Sequence, residues 1–240
     1  MFGLNFLLES GDPIGRPIAL NLLLREGTNA NRAIAFRLLA MHLHADADTD
    51  ECEVVRGGLY DTDVFVRAAA AMCAGASGDE DLARRAIAAV DITEGEVALA
   101  AAKGLSAGLG QSDRHLFPAL EAAFERVHRR RLASNDETFV YTEAYLLRAV
   151  GHATSGSRGT SEVQRMALRA LFDAEHHRPV LITGLELLEQ STPDEGLTAD
   201  LRWPAEMVRD LAMVLGVDDR EVQQRALRLL VRGAASGTTA

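Results

Sequence analysis

Helix starts recur along this chain at a near-regular spacing, and that recurrence restricts the fold more than any single motif does. Stretches that open on a capping residue and run on as an apolar helix begin near Asn29, Asp61 and Thr93, about 30 residues apart. Later ones begin near Asp136, His177 and Asp218, about 40 apart. A second helical stretch follows each. A repeat of this length is one supersecondary unit that cannot bury its apolar face alone, so successive copies must stack. The clearest copy is Asp61 to Asp79, DTDVFVRAAAAMCAGASGD: an acidic start, the Val66-Arg67 pair, an alanine run and a glycine end.

Start and stop signals predict helices over about 14–25, 29–44, 50–58, 61–76, 79–90, 93–109, 114–131, 136–153, 160–174, 178–190, 200–215 and 218–233. Alternating β-branched runs bounded by turn dipeptides are absent, so the fold class is all-α. Capping boxes are expected at Ser77 with Glu80, Thr93 with Glu96, Ser134 with Glu137, Thr192 with Glu195 and Asp218 with Glu221. Pro179, Pro193 and Pro204 stand where first-turn prolines are tolerated. Phe117, Leu120, Phe124 and Val127 form one apolar stripe, and Val222, Ala226 and Leu229 another. The 48% apolar content supports one domain over 1–235, with a hinge at the Gly151–Gly159 loop and a disordered tail from Gly233, clearest over 236–240.

Asp61, Asp63, Val66, Arg67, Ala69–Ala71, Gly75 and Asp79 resemble the first helix of a bacterial HEAT repeat, the short type also found in phycobilisome-lyase-like repeat proteins. Leu116-Phe-Pro-Ala-Leu120 resembles the second-helix signature, and Pro17-Ile-Ala-Leu20 is a fainter copy. Asp219-Arg-Glu-Val222 with Ala226-Leu227 matches another first helix, but Gln223 stands where the arginine belongs. The unit at Asp136 lacks both the Val-Arg pair and the alanine run. The likeness is clear over about 61–131 and fades on either side. It implies an α-solenoid of about six helical pairs; armadillo-like and irregular helical-pair arrays stay open. It also implies that second helices line the concave face. Arg84 and Arg85 would lie there on one helix, Glu121, Glu125 and Arg129 on the next, and Gln164, Arg165 and Arg169 on a third. Mixed charge signs along that row suit a protein or peptide partner.

The net charge of −10 repels phosphate backbones and acidic membrane surfaces. Lys103 is the only lysine, so arginine carries almost all the positive charge, as in GC-rich coding. Cys52 and Cys73 are too few for a disulfide framework or a zinc site. The start, MFGLNFLLES, has neither a basic leader nor a span-length apolar run, so a cytoplasmic location is expected. Phe2, Leu4, Phe6, Leu7 and Leu8 either cap the first helical pair, the favoured reading because an uncapped array exposes its core, or dock onto another protein.

Three clusters invite chemistry. Gly104-Leu-Ser106-Ala-Gly108 has the spacing of a nucleophile elbow, but that motif needs a strand turning into a helix, so Ser106 is read as structural. His42, His44, Asp46, Asp48, Asp50, Glu51, Cys52 and Glu53 imitate half a calcium loop. Glu51 occupies the glycine position and Gly57 the bidentate-acid position, so an acidic loop with Asp48 or Thr49 capping the next helix is expected and no metal. His128-Arg129-Arg130-Arg131 is a basic cluster read as cations completing a helix end, and Trp203 is the sole tryptophan, with no aromatic set for stacking bases. The expected function is therefore a non-enzymatic, cofactor-free scaffold or adaptor for a protein partner. It could self-associate through its terminal helices. The alternatives are an accessory lyase or chaperone-like role of the phycobilisome-lyase type and, behind it, nucleic-acid binding.

Overall fold

The computed structural model describes residues 2–25, 27–43, 48–91, 94–134, 136–155, 161–174, 177–191 and 205–237. Regular structure among the described residues is entirely helical: α1 (Phe2–Ser10), α2 (Gly15–Leu24), α3 (Asn29–His42), α4 (Thr49–Gly58), α5 (Val64–Ala76), α6 (Glu80–Ala89), α7 (Gly95–Gly108), α8 (Phe117–Ala133), α9 (Glu137–Thr154), α10 (Ser161–Phe172), α11 (Arg178–Ser191), α12 (Ala205–Val214) and α13 (Arg220–Gly237), with a 3-10 turn over Gln111–Leu116. The helices α3, α5, α7, α9, α11 and α13 form an odd-numbered row in which each packs on the next. The helices α2, α4, α6, α8, α10 and α12 each pack on the odd-row helix that follows them in the chain. Pairing therefore runs α2/α3, α8/α9, α10/α11 and α12/α13. The sequence reading had each odd helix pairing with its successor instead. Of those successor pairs, α5/α6 alone packs closely among the described residues.

Three odd-row helices, α3, α5 and α13, start alike. The side chains of Thr28, Asp63 and Asp219 accept hydrogen bonds from backbone N–H groups of the first turn. The Val66 N–H, accepted by Asp63, holds that carboxyl below its usual range. Four residues after each cap stand Arg32, Arg67 and Gln223. Arg67 donates to both oxygens of Glu94, the residue preceding α7, and to the Asp61 carbonyl at 2.6 Å. Arg32 reaches forward in the same way to Asp61, at 2.7 Å. Gln223 donates to the Val217 carbonyl at 2.9 Å, six residues back as Asp61 is from Arg67. It keeps the backbone half of the arginine's work and lacks the ion-pair half.

Glycine lets α5 and α7 meet backbone to backbone. A β-carbon at Gly75 would stand 2.5 Å from the Leu105 nitrogen, and one at Gly104 would fall inside the Met72 carbonyl group. Gly108 presses on Gly75 and Ala76 in the same way. The GLSAG glycines are thus packing glycines. Ser106 is buried and donates to the Lys103 carbonyl at 2.8 Å, which satisfies its hydroxyl inside the helix.

Several expectations shift at helix ends. Phe2–Ser10 is a helix that the sequence reading did not assign; it packs on α2 and α3, buries Leu7 and Leu8 against the core, and stops at Gly11, whose φ is 63°. Helix α9 continues to Thr154, so the first four residues of the expected hinge loop are helical and Gly151 lies buried close to Gln190 of α11; residues 156–160, covering most of the rest of that loop, lie outside the described residues. Helix α13 runs to Gly237, past the expected end at Gly233. Asp79, Asp136 and Asp219, not Ser77, Ser134 and Asp218, accept the first-turn N–H groups. Ser77 and Ser134 each instead accept the N–H of the aspartate two residues on. Thr93, Thr192, Glu195, Pro193, Pro204 and Trp203 fall outside the residues whose side chains are described. A reciprocal box forms between Asp48 and Glu51, and Arg16 of α2 grips Glu51 with two N–H groups.

Candidate functional site

The residues singled out for partner binding all sit on the even row, and most spend their charge there. Arg84 pairs with Glu80, Arg85 with Asp81 and Arg165 with Glu162, each within its own helix. Arg169 reaches from α10 to Glu125 of α8 at 2.5 Å, and Arg129 donates to the Glu125 carbonyl. Glu121 and Gln164 are half-buried. The row is a set of neutralised ridges, with a small notch of about 290 Å³ where Arg129 joins Arg126, Arg130 and Asp91.

The basic cluster does not stay together. His128 and Arg131 turn inward: the imidazole nitrogens lie 3.1 Å from Glu143 and 3.0 Å from Asp173, and Arg131 donates to the other Glu143 oxygen. Glu143 and His128 are fully buried, and the ring stacks on Phe124. This quartet ties α8, α9 and the end of α10 together. Arg126 and Arg130 pair with Asp91. Of the loop before α4, His44 and Asp46 lie outside the described residues, and Asp48 is the helix cap. Among the described residues no group of three His, Cys, Asp or Glu side chains could hold a metal ion. No helix among them is long and apolar enough to cross a membrane.

A different surface has the shape of a site. On the odd row, α3, α5 and α7 with the end of α1 enclose a trough of about 510 Å³. Ala68, Ala69 and Ala100 form its floor, and Met41, Phe65, Met72 and Leu99 rise around it. Phe65 keeps 61% of its surface exposed and Met41 43%, a high cost for apolar side chains with nothing over them. The polar groups lining it are Arg37, Glu96 and Lys103. A smaller trough of about 240 Å³ lies farther along the same row between α9 and α11, lined by Tyr141, Tyr145, Arg148 and Ile182. Sequence reasoning placed the binding face on the other row. The sequence signal for this surface is in α5, where Phe65 and Met72 share a face while Val66, Ala70 and Cys73 turn away from it into the core. A helix apolar all round either is buried on every side or has a face awaiting cover.

Comparison with known proteins gives no match. No family model fits the chain, and neither a curated protein nor a solved structure is similar to it.

Proposed function

We propose that this chain is a HEAT-like α-solenoid of about six helical pairs that acts as a non-enzymatic scaffold, holding a partner protein in the trough across α3, α5 and α7. The observation that carries the reading is the exposure of Phe65 and Met41 around an alanine floor, beside an even row most of whose singled-out charges are already matched. Methionine and aromatic side chains are what protein interfaces concentrate. The forward-reaching Arg32 and Arg67 support the solenoid part of the reading, because each ties one repeat to the residues that lead into the next odd-row helix.

The test is site-directed photo-crosslinking in the organism that encodes the chain. A benzophenone amino acid at Phe65 or Leu99 is expected to form one discrete protein adduct, identified by mass spectrometry and abolished by Met72→Glu. Adducts at Arg84 or Arg165 instead would move the site to the even row. None at any of the four positions would remove the scaffold reading.

A further inference from the structure

Resting on that reading of the trough, we infer that its occupant is a helical segment of a partner protein. The segment is apolar along one face and carries one or two carboxylates beside that face.

The shape argues for a helix. Phe65, Ala68, Ala69 and Met72 are spaced one and two turns apart on α5, and Glu96, Leu99, Ala100 and Lys103 repeat the spacing on α7. Two such neighbouring faces, with small residues on the floor and large ones on the flanks, receive the ridge of a third helix. Anchors on that helix at i, i+3 or i+4, and i+7 would drop between the walls. A volume of about 510 Å³ suits a few anchoring side chains, with the rest of the segment lying above them.

The charge sets the occupant's sign. Acidic residues outnumber basic ones in this chain, 35 to 25, and the neighbouring arginines Arg32, Arg56, Arg67, Arg84 and Arg85 each hold a carboxylate. Arg37 and Lys103 do not: both are exposed, and among the described residues neither side chain makes a hydrogen bond or an ion pair. Cations left unmatched beside an apolar trough, in so acidic a molecule, are free for a group from outside. Glu96 also lines the trough, but it stands in the first turn of α7, where a negative charge complements the helix dipole.

The net charge of −10 narrows the occupant further. A run of acidic residues would be repelled by the whole molecule before contact, whereas one or two carboxylates meet Arg37 and Lys103 inside a screening length of about 8 Å. The fit is to an amphipathic helix with sparse, placed acids, not to a polyacidic tail.

The experiment uses the full chain and fluorescence anisotropy. The probe is a fluorescein-labelled synthetic helix of about 18 residues, with leucines on one face and two glutamates flanking it. Its lysine counterpart, polyglutamate and sodium dodecanoate are the comparisons. The glutamate helix should bind saturably, and the lysine helix and polyglutamate should not. The double variant Arg37→Glu/Lys103→Glu should lose about tenfold in affinity for the glutamate helix and gain a similar factor for the lysine helix. Glu96→Lys should tighten the glutamate helix. Both cations are exposed, so the double variant should keep the wild-type circular dichroism and urea midpoint. Equal binding of the two helices, or no reversal in the double variant, overturns the inference. So does dodecanoate binding that depends on Arg37 and Lys103 when neither helix binds, which would make the occupant a free amphiphile. Neither helix binding while the Phe65 crosslink persists overturns the occupant's chemistry and leaves the site standing. Loss of both takes the scaffold reading down as well.

Discussion

Replacing Gly104 by alanine tests the packing that brings α5 and α7 together. The added β-carbon would lie 2.9 Å from the Met72 carbonyl carbon and 3.0 Å from its α-carbon, with the carbonyl oxygen nearer still. All three are backbone atoms, so no side chain can swing aside. Relief requires the two helices to separate by something near 1 Å, and a gap of that size forfeits a quarter to a half of each dispersion contact across it. The interface affected includes buried Ala70, Cys73, Ala74, Ala101 and Leu105. Overpacking a filled core costs about 1–3 kcal/mol, and a clash confined to backbone belongs at the top of that range. Alanine's better helix propensity returns about 1 kcal/mol, leaving a net loss of about 2 kcal/mol. For a chain of this size that is a fall in Tm of about 4–8 °C. Gly57→Ala is the matched control: Gly57 is also helical, but nothing lies within 4 Å of the added carbon. It should stabilise by about 0.5–1 kcal/mol. Urea midpoints and thermal melts of both variants read the difference directly. A Gly104→Ala protein as stable as the wild type would refute the close backbone approach.

The remaining predictions concern buried polar groups. Glu143→Gln leaves Arg131 and His128 without their shared carboxylate in a fully buried setting and should cost about 3 kcal/mol in urea denaturation; a loss below about 1 kcal/mol would mean the quartet contributes little. Arg16 beside Glu51 holds that carboxyl below its usual range, with the Asp48 N–H adding to the effect and burial opposing it. A depressed folded value means the contribution is complete above the ordinary carboxylate range and disappears as pH falls through the folded value. Stability should therefore drop below about pH 4.5, and Glu51→Gln should be weaker at neutral pH with a shallower acid slope; identical slopes would contradict this. Burial pushes the Cys73 thiol well above its usual range, and that of Cys52 is raised chiefly by burial as well. Neither should react with Ellman's reagent in the native protein, and immediate labelling of either would show that its helix opens.

What could be read from the sequence depended on how local the determining interactions are. The Asp63 cap, the Val66-Arg67 pair and the alanine run of α5 act within a turn or two, so their residue types announce a helix start and its stacking arginine. Arg32 obeys the same rule, four residues after a capping Thr28, but α3 carries neither the preceding valine nor the continuous alanine run that mark Arg67. The run His128–Arg131 was misread as one cluster although helical geometry separates it: successive residues turn by about 100°, so His128 and Arg131 share one side, Arg126 and Arg130 another, and Arg129 a third. The buried carboxylates that decide the inward side come from α9 and from the end of α10, and no local pattern points to them.

The trough lay beyond local reading for a related reason. Whether Phe65 is covered depends on where α1, α3 and α7 lie in space, and the spacing of α5 from α7 is set by Gly75, Gly104 and Gly108. Those glycines draw the outward faces of the two helices close enough for Ala68, Ala69 and Ala100 to act as one continuous floor. Packing and recognition are therefore coupled through the same contact. Gly104→Ala should weaken occupancy of the trough as well as the fold, by widening the floor beneath Met72 and Leu99. Gly57→Ala, remote from the trough lining, should leave occupancy unchanged while raising stability. A variant that loses stability but keeps wild-type affinity for the glutamate helix would separate the two roles and show that the floor does not depend on the glycine contact.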